Sequence, residues 1–465
     1  MSKKEQRTFN DTSSVQSGWL PPFGHESLKI YYEIILNVEI EPKEKWVKPI
    51  QELYYWIKSN DVVNDLFNTA FKENKNIKDE YHHVQGVPIP RIKDTEHLMN
   101  AFNKVMKRAP YFINDALVGL PFSAIVVAID PTLSGRTIFG MPEFNKKMSK
   151  VLNHWNKFLA TKKSDKGFSV DGEQWLSDTA KEQYQFDLWE RNKELPYWDS
   201  WNSFFTREFK DIKTQRPIAG PDTNKIVISP NDGSLFRWRS NVSKNDVFWF
   251  KDMKYSIKDI LSTSVAKDQK VLDQHKVVDI FKGGYVFQTY LNPYNYHKWQ
   301  VPVNAKVLFD PIVVPGAFFN KLVLPDFSGA TTASLPYLSQ VNARGLIVFK
   351  TKEYGHVCCI PLGMSEVSTV KFDKTMKKGK SVSKGDPMGM FEYGGSSFVT
   401  IYEKLPDKML IFKNENGELY PQDPPPAQSS AGSGSFPTQV RGQVGEWVPI
   451  IDVLLDIQNH LPNAF

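Results

Sequence analysis

Residues 391–400 read Phe391-Glu392-Tyr393-Gly394-Gly395-Ser396-Ser397-Phe398-Val399-Thr400, two short aromatic strands with two glycines and two serines at their joint. A glycine weakens a strand unless a bend or a close approach of backbone requires it. Two in succession open conformations closed to other residues. A serine hydroxyl beside so pliable a peptide can attack the carbonyl that precedes it. Taken alone, the four residues fit an ordinary glycine turn with a serine cap better than a backbone that cuts itself. The surrounding chain decides between the two.

Upstream of the joint the chain is strand-like back to about Ile226. IVISPNDGSLFRWR (226–239), YVFQTYLN (285–292), AKVLFDPIVV (305–314), GLIVFKTKEYGHVCCIPL (345–362) and VSTVKF (367–372) are apolar, β-branched runs separated by Gly, Pro, Asn and Asp. The turn within KTKEYGHV predicts a hairpin. Further upstream the period changes. Trp46, Ile50, Leu53 and Ile57 recur at helical spacing, Asp94 or Thr95 can cap a helix that turns Leu98, Phe102 and Val105 inward, and Phe144, Met148, Val151, Trp155 and Phe158 form a third stripe. Helices followed by strands predict an α+β fold, with a helical amino-terminal extension over 1–190 and a β-rich domain over 191–465. Pro421 to Gln439, rich in Pro, Ser and Gly, reads as a flexible surface loop.

Composition narrows the function classes. The chain has 465 residues and a net charge of +6, from 58 basic and 52 acidic side chains, too mild an excess to point to nucleic acid. Its two cysteines, Cys358 and Cys359, are adjacent and read as buried strand residues in a reducing compartment. Neither they nor the isolated pair His82-His83 make a metal site. The first residues lack the apolar core of a secretory signal, and the run Ala116 to Ile129 is too short to span a bilayer. The expectation is a cytoplasmic protein, peripheral to a membrane at most.

KGKSVSKGDPMGMFEYGGSSF (378–398) resembles the carboxyl-terminal signature of the phosphatidylserine decarboxylase family, in which a lysine-glycine turn leads to a glycine–serine cleavage site. Further blocks are similar in the same order: FFTREFKDIKTQRPI (204–218), SPNDGSL (229–235), YHKWQVPVNA (296–305), NAR (342–344) and PLGMSEVSTV (361–370). SGWLPP (17–22), LMNAFNKVMKRAPYF (98–112) and GGSSF (394–398) are similar to the tryptophan decarboxylase branch, which carries a helical extension before the decarboxylase core.

The resemblance implies roles. Ser396 would become a pyruvoyl group, with cleavage between Gly395 and Ser396 leaving a long chain 1–395 and a short partner chain 396–465. Asp232 matches the acidic residue that supports processing; an Asp-Gly turn is also a common structural device. His297 matches the histidine that assists proton transfer during decarboxylation. The pyruvoyl ketone would form a Schiff base with a substrate amine and act as the electron sink, so that no added cofactor or metal is needed. The departure is Gln300, where the family pattern has a second histidine working with the aspartate as base. Glutamine cannot take a proton near neutral pH. Either His297 or another group such as His356 replaces it, or processing is slow, or the chain stays uncut.

Two substrates fit the resemblance: a free aromatic amino acid such as tryptophan, or phosphatidylserine. The helical extension favours the first. The lysines Lys374, Lys377, Lys378, Lys380 and Lys384 would suit anionic lipid, although an exposed charged hairpin explains them as well. An unprocessed, non-catalytic binding protein is a third reading. SVSKGDPMGMFE also has the flavour of a biotinyl or lipoyl carrier hairpin, but no lysine sits between methionines at its tip. Peripheral membrane contact and a homo-oligomer are left open.

Overall fold

The computed structural model describes residues 39–75, 83–84, 87–88, 92–112, 121–126, 129, 132–242, 256–291, 294–319, 339–364, 366, 369–393, 396–422 and 436–453. The SGWLPP block, His82 and the pair Gly394-Gly395 lie outside them, as do the side chains of His83 and Ser396.

The helical half contains α1 (Lys48–Lys58), α2 (Asp61–Lys75), α3 (Thr95–Val105), α4 (Pro121–Val126), α5 (Leu133–Gly140) and α6 (Pro142–Leu159). Each expected stripe faces inward. Ile50, Leu53 and Ile57 are buried on α1, and Trp46 is buried just before it. Asp94 caps α3, its carboxylate accepting the His97 N–H at 2.9 Å, which satisfies one of the amides a helix start leaves unpaired. On α6, Phe144, Met148, Val151, Trp155 and Leu159 are buried, whereas Phe158 is half-buried at the margin.

The strand-rich half contains β1 (Ile226–Ile228), β2 (Gly233–Arg239), β3 (Tyr285–Leu291), β4 (Lys298–Gln300), β5 (Ala305–Val307), β6 (Ile312–Val314), β7 (Arg344–Lys350), β8 (His356–Gly363), β9 (Thr369–Phe372), β10 (Ser381–Val382), β11 (Pro387–Glu392), β12 (Ser396–Tyr402), β13 (Lys408–Ile411), β14 (Pro437–Thr438) and β15 (Gln443–Pro449). An antiparallel nine-stranded sheet runs β10-β5-β7-β8-β12-β3-β2-β14, with β6 also paired to β7. Two three-stranded sheets, β9-β11-β4 and β13-β15-β1, flank it. β7 and β8 are the expected hairpin. The fold is α+β.

Side chains alternate across the large sheet, as the two-residue period requires. Val286, Val399, Ile401, Cys358 and Ile360 pack on one face against helical turns between Ile257 and Phe281. Phe287, Phe398, Tyr402 and Cys359 pack on the other, in one buried cluster that continues into the helical half. The adjacent cysteines therefore point to opposite faces, and both are free. Burial pushes the Cys358 and Cys359 thiols up, which suits inert packing residues.

The Pro421–Gln439 segment departs at its ends from the expected loop. Gln422 O accepts the Trp238 N–H at 3.2 Å and Phe436 O accepts the Leu235 N–H at 2.9 Å. Pro437 and Thr438 pair with Ser234 and Gly233 as an edge strand. Residues 423–435 lie outside the described set. No helix among the described residues is long and apolar enough to cross a membrane.

Candidate active site

The joint is a crossing between sheets. β11 pairs with β9 and β4, but β12, starting at Ser396, pairs with β8 and β3. The chain changes sheets between Glu392 and Ser396, which accounts for two glycines where an unbroken strand would avoid them. Tyr393, the residue before them, has φ +35°, in the left-handed region that costs a non-glycine residue roughly 1–2 kcal/mol. Its ring is buried against Trp155 (4.9 Å between centroids), Phe205 (5.5 Å) and Trp201 (5.7 Å). The Ser397 hydroxyl behind the joint is fully buried, donating to Thr289 O at 2.6 Å and accepting from Gln288 Nε2 at 3.0 Å. Ser397 is thus a fixed structural hydroxyl.

Strand register places the other expected residues. Ser396 pairs with Leu291, and Ser234 pairs with Tyr290 on the far side of β3. Asp232 and Ser396 therefore lie at the same end of the sheet, two strand spacings or about 10 Å apart across it. Gly233 is needed at this turn, because a Cβ there would meet Tyr290 O at 2.6 Å. Asp232 is buried; its Oδ1 accepts the Val440 N–H at 2.8 Å and lies 3.7 Å from Arg216 Nε. Burial raises its pKa above the ordinary carboxylate value, opposed by Arg216, the Val440 amide and Arg207.

His297 is fully buried, its ring 4.1 Å from that of Phe205. Its carbonyl accepts the Phe391 N–H at 3.0 Å, which ties it to β11 just before the joint. Buried Arg207 steadies the approach to it, donating from Nη2 to Tyr294 O at 2.6 Å. Its guanidinium lies 4.3 Å over the Trp189 ring.

Gln300 joins the Asp232 cluster. Its N–H donates to Pro230 O at 2.8 Å, and its Oε1 accepts from Arg441 Nε at 2.5 Å. Position 300 thus presents a neutral acceptor to a buried cation, where a protonated histidine would meet like charge.

His356 is excluded as its replacement. It starts β8, while Gly363, at the other end of that strand, is the residue paired with Ser396. Seven residues of strand put it about 24 Å away. It is engaged there with Glu403, Nδ1 to Oε2 at 2.6 Å.

Lys384 is also not what the sequence suggests. It is buried, and its Nζ donates to Thr223 O (2.6 Å), Gly220 O and Ile226 O (2.8 Å each) and Ala219 O (3.4 Å). Burial pulls its pKa down to about 8. It anchors the 219–226 segment and is available neither to a lipid surface nor for carrier attachment. Sequence reasoning missed Arg441, which follows the Pro/Ser/Gly segment with no motif signal. It also left Trp155 as core and Asn156 unread.

A family model described as phosphatidylserine decarboxylase matches residues 201–420, and a second phosphatidylserine decarboxylase model matches residues 47–184. Decarboxylase iboD of Amanita muscaria is 32% identical, over 61% of this chain and 84% of its own. An L-tryptophan decarboxylase of Psilocybe cubensis is 28% identical, over 76% of this chain and 79% of its own. A phosphatidylserine decarboxylase proenzyme of Clostridium botulinum is 26% identical, over 50% of this chain and 69% of its own.

Proposed function

Because the chain belongs to the phosphatidylserine decarboxylase family, and is a carboxy-lyase of its tryptophan decarboxylase-like branch, we propose that it cuts itself before Ser396 and decarboxylates a free aromatic amino acid such as tryptophan. The observation that carries this reading is the joint itself. A left-handed Tyr393, two glycines and a serine sit where the chain crosses between sheets, with Asp232 at the same sheet end and His297 bound to the preceding strand.

Processing needs no outside oxidant or reductant. The Ser396 hydroxyl adds to the Gly395 carbonyl, and the Gly395–Ser396 C–N bond breaks to leave an ester and a free amine. Loss of the Ser396 α-proton then expels the Gly395 carboxylate. The resulting dehydroalanine tautomerises and hydrolyses, releasing ammonia and leaving a pyruvoyl terminus on chain 396–465. Asp232 is the base for the first step, since its raised pKa brings it closer to the hydroxyl's than an ordinary carboxylate.

The residues present fit a pyruvoyl group at 396. Its carbonyl supplies binding of the substrate amine and uptake of the electrons left as carbon dioxide departs. His297 returns the proton to the substrate α-carbon, and the rings of Phe205, Trp201 and Tyr393 exclude water beside it.

The amino-acid substrate is supported by the extent of the similarity. The tryptophan decarboxylase match covers more of this chain than the strand-rich half can supply, so it runs into the helices, whereas the bacterial proenzyme match covers half. Carbon dioxide release from L-tryptophan, compared with phosphatidylserine vesicles, tests the assignment. Turnover of tryptophan alone supports it, and turnover of the vesicles alone overturns it.

A further inference from the structure

We infer that α6 is a positioning device for self-cleavage: Trp155 and Asn156 hold Glu392 and Tyr393 in the strained geometry that presents the following peptide to Ser396. This rests on the processing proposed above. Glu392 and Tyr393 are the last described residues before the two glycines, and adjacent residues of one helix grip both. The Asn156 amide donates to Glu392 Oε2 at 2.5 Å, and Lys371 Nζ bonds the other carboxylate oxygen. Trp155 meets the Tyr393 ring edge to face, at 4.9 Å and 87°.

Trp155 is itself anchored away from the sheet. Its indole N–H donates to Arg108 O at 2.9 Å, and Phe122 packs against its ring at 5.1 Å. The restraint therefore originates in the helical half. Phe205 touches both the Tyr393 ring and the His297 ring, so one aromatic group fixes the strained residue and the histidine together.

A tyrosine holds a positive φ only where its surroundings over-determine it. Here the ring is clamped on three sides and the preceding carboxylate on two. Released from that clamp, Tyr393 relaxes toward ordinary extended geometry, and the constraint it places on the chain entering the joint is lost. Trp155 and Asn156 touch no reacting atom and are positioning residues.

The test is a pulse-chase of the full chain made in a cell-free system, following conversion of precursor to two chains on a denaturing gel. Asn156→Ala and Tyr393→Leu should slow conversion by about tenfold or more, as misplacement of reacting groups does, whereas Tyr393→Phe keeps the ring and the wild-type rate. The pH at half-maximal rate should stay that of wild type while the plateau falls, and melting temperatures measured alongside exclude loss of fold. Wild-type rates in Asn156→Ala and Tyr393→Leu overturn the inference. A wild-type chain that is never cut overturns the processing reading instead.

Discussion

Arg441 Nε and Gln300 Oε1 are joined by a 2.5 Å hydrogen bond beside the Asp232 cluster. Arg441 adopts φ +72° and donates further to Gly385 O at 3.3 Å, so its guanidinium is committed to holding this corner. Gln300→Leu removes the acceptor and leaves a buried charged donor unpaired, a loss of about 1.5–3 kcal/mol for a bond to a charged group. Thermal or denaturant unfolding should show that loss for Gln300→Leu and most of it restored in Gln300→Glu.

Asp232 gives a pH dependence with a definite sign. Burial raises its pKa, and the ionised form is the one that accepts a proton. The rate of self-cleavage should therefore rise with pH through a midpoint above the ordinary carboxylate value, and be lost as pH falls through it. Asp232→Asn should remove this limb and slow cleavage by about 100-fold, within the range for general-base catalysis. A pulse-chase at a series of pH values measures both.

Lys384 yields a stability prediction independent of the chemistry. Lys384→Met keeps an unbranched apolar stem but leaves four carbonyls around the former Nζ without their donor. The expected cost is about 1–3 kcal/mol, that of a buried acceptor left unsatisfied. Thermal unfolding should show it, with the rate of self-cleavage in the folded protein unchanged.

The fold was legible where the pattern was local. The stripes on α1, α3 and α6 and the β7–β8 hairpin follow from periodicity and turn chemistry alone. The candidate site was legible as motifs, because Asp232 and Ser396 belong to recognisable blocks. What escaped was long-range. Nothing in a polar lysine hairpin shows that Lys384 alone turns inward to carbonyls some 160 residues earlier in the chain. Nothing near Arg441 announces Gln300, 141 residues away. His356, plausible by residue type, is ruled out only by strand register. The place of Trp155 against Tyr393 likewise depends on how the helical half packs on the sheets.

Whether the Ser396 hydroxyl severs its own chain is decided by the mass of the purified, denatured protein. Two polypeptides are expected, residues 1–395 and residues 396–465, the shorter with a blocked terminus that reacts with a carbonyl reagent, and a single chain in Ser396→Ala. A single uncut chain of 465 residues in the wild-type protein would contradict self-cleavage.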